Sequence, residues 1–350
     1  MAIIDKPSDY FNTKLYTGNA STQTISDVNF QPNLTWIKNR NGVRNHMLFD
    51  SVRGALYRLQ SNTTAASAST ANTLTSWNSD GFALGSENDT NGTGATFASW
   101  NWKAGTSFTN DASGTGIGSI DSTGSVNQDA GFSIVSYTGN SPTATTVKHG
   151  LNSIPQMIIF KRLVGAGNWA TYHQATGNTK ALFLNTTAAP DTSAGYFNNT
   201  TPTSSVFSVA NSGDTNSNGN AMIAYCFAEK QGYSKFGSYT GNGNADGTFV
   251  YTGFKPAYVM VKKTSGTENW YIFDNKRSDF NLSDDALKAN TNSAELADWG
   301  VGFDFLSNGF KARATDGAIN ASGGSYIYMA FAQNPFVTST GNGSIPATAR

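Results

Sequence analysis

The tetrapeptide Tyr-Thr-Gly-Asn occurs three times, at 16–19, 137–140 and 239–242, with starts 121 and 102 residues apart. A longer pattern travels with it. A proline follows in each copy (Pro32, Pro155, Pro256), and a lysine stands six residues later (Lys38, Lys161, Lys262). Seven residues on comes an asparagine before a ring: Asn45-His46, Asn168-Trp169, Asn269-Trp270. Another aromatic lies three residues beyond (Phe49, Tyr172, Phe273), and an Asn-Thr pair comes later (Asn62-Thr63, Asn185-Thr186, Asn290-Thr291). Each copy closes on an apolar run ending at Trp102, Phe227 or Phe331, which lie 20, 20 and 21 residues past Phe82, Phe207 and Phe310. Spacing held this closely is the mark of a duplicated structural unit.

The chain divides accordingly: an N-terminal arm at 1–15, a first unit at 16–102, a Gly/Ser/Thr-rich linker at 103–131, a second unit at 132–227, a third at 233–331 and a tail at 332–350. Each unit has the size of a small all-β domain. The run after each proline is short, apolar and rich in β-branched and aromatic residues, as in Met157-Ile158-Ile159-Phe160. That composition fits a strand buried on both faces, and a proline before the run need not donate to the ladder. The lysine ending the run should return the chain to solvent. Asp80-Gly81, Asn91-Gly92, Asn218-Gly219 and Asn308-Gly309 mark tight turns. Helical periodicity is nearly absent, and the best candidate is a turn or two within Leu282–Leu296. The fold class is therefore all-β, with three tandem β-sandwich units. The long first linker suggests that unit one stands apart while units two and three pack together. The tail, with Pro335 and Pro346, is expected to be disordered unless a partner holds it.

Composition narrows the function classes. Only 13% of residues are charged, against about a quarter in an ordinary soluble domain, so Ser, Thr, Asn and Gly must cover the surface. With 23 basic and 23 acidic residues and no basic stripe, nucleic-acid binding is not expected. No apolar run reaches the length of a membrane-spanning helix, and the first residues lack the features of a signal peptide. The single cysteine, Cys226, lies in an apolar strand and reads as core.

Tyr-Thr-Gly-Asn, the proline-to-lysine strand, Asn-Trp-x-x-Phe-Asp and the ending Pro-Ala-Thr-Ala-Arg together resemble a repeat-domain family encoded by tailed phages, marine ones especially. The resemblance covers almost the whole chain. It implies a virion structural or tail-fibre-like protein with a jelly-roll or concanavalin-like lectin fold, and it brings no catalytic or ligand residue with it. The partners it implies are other tail or capsid proteins and a host surface glycan or protein. A homotrimer would suit a fibre, and the apolar Ala2-Ile3-Ile4 run could join a neighbour's sheet by strand addition. Capsid decoration, a head fibre or a tail connector is the competing role, and a carbohydrate-binding module or glycosidase ranks lower.

The candidate site residues are few. Asp50 and Arg53 stand three apart after Phe49, as do Asp274 and Arg277 after Phe273. They offer either a polar ligand site or an internal salt bridge. The second copy has His173 and Thr176 at these positions, and joint loss of both charges favours the bridge. Trp77 and Trp299, in loop-like sequence, are the tryptophans best placed to stack on a ligand. Tyr-Thr-Gly-Asn reads as a tight turn with Gly18, Gly139 and Gly241 at positive φ, in preference to a sugar-binding loop. Four glutamates and the adjacent pair Asp284-Asp285, whose side chains would oppose each other on a strand, give no two-carboxylate array for glycoside hydrolysis. No nucleophile elbow, zinc spacing or calcium loop is present, so no enzyme, metal or cofactor is expected.

Overall fold

The computed structural model describes residues 3–142 and 144–339. The described chain is all-β, with helix confined to single turns at Pro7–Asp9, Asn88–Asn91, Ala112–Thr115 and Ala194–Phe197. Every third of the chain builds the same four-strand core. An opening strand (Phe11–Thr17, Phe132–Thr138, Ser234–Thr240) pairs with the closing strand (Thr96–Trp102, Ala221–Phe227, Ser325–Pro335). The closing strand pairs with the proline-led strand (Leu34–Asn39, Met157–Arg162, Phe254–Lys263), which pairs with the ring strand (Met47–Asp50, Ala170–His173, Trp270–Asp274). All pairings are antiparallel.

Because side chains alternate across a strand, each large sheet serves two cores. One face meets a smaller sheet of the same copy. In the first copy Ile37, Phe49 and Phe97 meet Ile25 and Phe82. In the second, Ile158, Phe160 and Ala224 meet Val147 and Phe207. In the third, Val259, Phe273 and Tyr328 meet Val250 and Phe310. The opposite faces of all three large sheets share one central cluster, in which Trp36, Trp100 and Trp102 meet Ile159, Tyr225 and Phe227. The third copy brings Met260, Ile327 and Phe331 to the same cluster. The first copy is therefore not set apart, because Trp36, Trp100 and Trp102 are part of the common core.

The three copies close a ring through equivalent hydrogen bonds. At the ring position that follows the repeated asparagine, Trp169 Nε1 donates to Gln60 O of the first copy at 2.9 Å. Trp270 Nε1 donates to Phe183 O of the second at 3.0 Å, and His46 Nε2 donates to Lys288 O of the third at 3.0 Å. The repeated lysines follow the same circuit: Lys161 Nζ to Thr64 O at 2.9 Å, Lys262 Nζ to Thr187 O at 3.1 Å, Lys38 Nζ to Asn292 O at 3.5 Å. Contrary to the sequence expectation, none of these lysines reaches solvent. Burial lowers each ammonium to a pKa of about 8, and backbone carbonyls supply acceptors in place of water.

The signature tetrapeptide is a clasp between distant segments. The Tyr16, Tyr137 and Tyr239 hydroxyls donate to the carbonyls of Thr90, Thr215 and Ile319. The next residue, Asn91, Asn216 or Asn320, accepts from the backbone N–H of Asn19, Asn140 or Asn242 at 3.0, 2.8 and 3.0 Å. Gly18, Gly139 and Gly241 do not have positive φ, which corrects the tight-turn reading. Glycine is needed because a Cβ would come 2.3, 2.3 and 2.4 Å from Gly92 O, Ser217 O and Ala321 O. Gly139→Ala should therefore destabilise the protein by about 1–3 kcal/mol through overpacking, read as a lowered urea midpoint. A second clasp joins the other repeated asparagines: Asn185 Oδ1 accepts Trp169 N at 2.9 Å while its amide donates to Asn168 Oδ1 at 3.0 Å. Asn62 and Asn290 make the same pair of bonds.

Three local expectations change. Within the 103–131 linker, strands Thr106–Asn110 and Ser122–Asn127 form a hairpin that extends the second copy's sheet. Gly124 lets it seat, since a Cβ there would lie 2.1 Å from Ile134 O. No helix forms at 282–296. Leu287–Lys288 is a short strand beside Tyr271 and Ile272, Ala286 and Leu296 exchange backbone hydrogen bonds, and Ser283 pairs with Phe303. At the N-terminus, Ile4 is buried against its own chain and donates to Gln231 O at 3.1 Å. Ala2 of the strand-addition run and 340–350 of the tail lie outside the described residues.

Candidate functional site

The two Asp/Arg pairs lie inside the molecule. Asp50 Oδ2 accepts from Arg53 Nε at 2.5 Å, and Asp274 Oδ2 from Arg277 Nε at 2.6 Å. All four side chains are buried. In each pair Oδ1 accepts the N–H groups two and three residues on, at 3.1 and 2.9 Å for Asp50 and 3.0 Å for both at Asp274. The free side of Oδ2 then takes a donor from the closing strand of the next copy: Tyr225 hydroxyl on Asp50 at 2.6 Å, Trp100 Nε1 on Asp274 at 3.0 Å. Burial by itself would raise the Asp274 carboxyl, but the Arg277 guanidinium and these hydrogen bonds outweigh it and hold the group below its usual range.

The exception in the second copy follows from the same geometry. The residue that aligns with Trp100 and Tyr225 is Met329, which has no hydrogen to donate. A buried carboxylate facing it would lack a partner, at a cost of several kcal/mol. His173 stands there as a neutral substitute. Its Nδ1 accepts Ala175 N at 3.2 Å, as Asp50 accepts Val52 N, and its Nε2 donates to Tyr328 O at 3.2 Å. With no carboxylate to balance, the arginine position becomes Thr176, which donates to His173 O at 2.8 Å. Glu295 extends the third-copy network, accepting Arg277 Nη1 at 3.0 Å and Arg40 Nη2 of the first copy at 2.7 Å. These groups join copies and offer no surface to a ligand.

The two candidate tryptophans are half-buried. Trp77 packs against the first copy's inner core and its Nε1 donates to Thr35 Oγ1 at 3.4 Å. Trp299 stacks on Tyr271 with centroids 5.1 Å apart and planes at 21°, covering one face of its ring. The pair Asp284-Asp285 does not point to opposite faces. With Asp298 it brings carboxylate oxygens within 4.8 Å of one another, because the segment is loop rather than strand. Two of these oxygens accept the N–H groups of Gly300 at 2.9 Å and Asp298 at 3.0 Å. Cys226 is fully buried and burial pushes its thiol up.

Surface positions escaped sequence reasoning. Phe249 and Tyr251 are exposed on a strand whose intervening residue, Val250, is buried. Their alternation with Val250 was the available signal, at a register shared by all copies but aromatic in the third alone.

Fold and internal network define an all-β repeat protein whose polar signature residues hold copies together. Residues 6–335 match the family described as a domain of unknown function, DUF7483, and the chain belongs to that family. No curated protein and no solved structure matches it.

Proposed function

We propose that this chain is a non-catalytic structural protein of a phage virion, most consistent with a tail-fibre or host-attachment component, in which each copy is a two-sheet β-sandwich of jelly-roll or lectin-like type. The observation that carries the reading is the closed ring of three copies around one core. Polar residues repeated in every copy are consumed by clasps and seams, which leaves the outer faces free to vary. Such a body is charge-poor and threefold in its interior. A single chain thus supplies the arrangement for which the sequence suggests a homotrimer, and it suits docking on a threefold fibre as one copy per end. A host surface glycan or protein is the partner this reading assigns to the outer faces, and other tail proteins to the ends.

Electron microscopy of intact particles labelled with antibody against the chain tests it. Label at the tail tip or fibres is expected. Label spread over the shell would replace attachment with capsid decoration, and absence of the chain from purified particles by mass spectrometry would remove the virion reading altogether.

A further inference from the structure

The outer face of the third copy's small sheet carries two aromatic rings in the open. In the strand Phe249–Tyr251, Val250 points inward opposite Phe310, while Phe249 and Tyr251 are 44% and 57% exposed. The same register in the other copies is set by Ile25 opposite Phe82 and Val147 opposite Phe207. There the flanking outward residues are Thr24 and Ser26, or Thr146 and Lys148. Fold alone therefore does not require aromatic residues at these positions.

Glycines seat both rings. A Cβ on Gly309 would lie 3.0 Å from Phe249 Cε2, and one on Gly253 would lie 3.5 Å from the Tyr251 hydroxyl. Each ring thus rests against bare backbone. Alternate residues of a strand share a face about 6.7 Å apart, so the rings form a two-step platform. Beside them runs an ionic rim. Asp246 Oδ1 binds Lys311 Nζ at 2.5 Å and Arg313 Nη1 at 3.1 Å, and Arg313 Nε binds Asp304 Oδ2 at 3.2 Å. Lys311 is the partner of Phe249 across the strand pair, and Asp304 is the partner of Lys311.

We infer that the face formed by Phe249, Tyr251, Lys311 and Arg313 is a binding site for a saccharide chain. A pyranose presents a face of polarised C–H groups, which suits the electron-rich face of an aromatic ring. Its hydroxyls lie at the rim of that face, where they meet both donors and acceptors of the Lys311, Asp246, Arg313 and Asp304 chain. Charge-assisted hydrogen bonds of this kind are the stronger ones. A protein partner is the poorer match, because the rim along Phe249 is ionic, built of Lys311, Asp246, Arg313 and Asp304. The biological ligand, a host surface glycan, rests on the attachment reading above; saccharide binding itself does not.

The full chain and the double variant Phe249→Thr/Tyr251→Ser are compared on a printed array of bacterial O-polysaccharides and capsular polysaccharides. The strongest binder is then titrated with each protein. The variant places on the third copy the pair that the first copy carries at the same register, so a native melting curve is expected. At least a tenfold loss of affinity is the expected result, with saturation-transfer signals from the Phe249 and Tyr251 rings in the parent protein. No parent binding to any arrayed polysaccharide overturns the inference, as does binding that the double variant leaves within twofold. Particle localisation decides the virion reading separately, so a saccharide-binding protein absent from virions keeps this inference and loses only the other.

Discussion

Replacing Arg277 by alanine is expected to cost roughly 3–5 kcal/mol of folding stability, the range for breaking a buried ion pair from one side. The guanidinium is fully buried and serves three acceptors and one ring: Asp274 at 2.6 Å, Glu295 at 3.0 Å, Ile272 O at 2.8 Å, and the face of Trp100 with its centroid at 5.7 Å. Without it, Asp274 keeps two backbone N–H groups and Trp100 but becomes an unbalanced charge in the centre of the molecule. Urea unfolding of Arg277→Ala, Asp274→Ala and the double variant measures this directly. The double should cost less than the sum of the singles by about 0.5–3 kcal/mol, because its loss removes both charges together. A single-variant cost below about 1 kcal/mol would place the pair among ordinary surface bridges and would undo its role as a seam between the first and third copies.

Acid should weaken the fold through its histidines. His46, His149 and His173 are all buried, and their hydrogen bonds assign one tautomer to all three. Nδ1 accepts Trp36 Nε1 at 2.8 Å, Leu151 N at 3.2 Å and Ala175 N at 3.2 Å. Nε2–H donates to Lys288 O, Thr203 O and Tyr328 O. A second proton on Nδ1 would face another N–H. The charged groups nearest His46, Lys38 and Arg277, are cations that oppose it further. Burial lowers His149 and His173 to a pKa of about 4 and His46 well below its ordinary value. The unfolded chain holds its histidine protons from pH 6.5 downward, while the folded chain refuses them until about pH 4. Stability is then complete above pH 6.5 and falls as pH drops through that window, by about 3 kcal/mol for each of His149 and His173. Urea midpoints at pH 7.5 and 4.5 check it, and His173→Gln should flatten the slope. An unchanged midpoint in the parent protein would mean that the rings reach solvent.

How much of this was legible in the sequence depends on where each partner lies in the chain. The proline-led and closing strands were readable, since Met157-Ile158-Ile159-Phe160 fills both cores by local alternation alone. The lysine was misread because its acceptors are buried carbonyls: Gly167 O of its own copy for Lys161, and Thr64 O of another copy 97 residues away. The tetrapeptide glycines were assigned a backbone role when a packing one governs them: Gly139 is constrained by Ser217, far along the same copy and without a repeat signature of its own. Composition misled at 103–131, where Gly and Ser suit a hairpin on a sheet edge as well as a loose connector. At the candidate site, loss of both charges in the second copy pointed to a bridge. Its cause, Met329 at the position of Trp100 and Tyr225, required the ring of copies to be known.

The ring also separates two kinds of evolutionary freedom. In an assembly of three identical chains, a substitution on an outer face appears three times, and so does any damage it does at the seams. Within one covalent ring each face is written once. Phe249 and Tyr251 can appear on one side while the same register stays hydroxylic on another, and no seam residue has to change with them. A body threefold in its interior can in this way present three unlike sides.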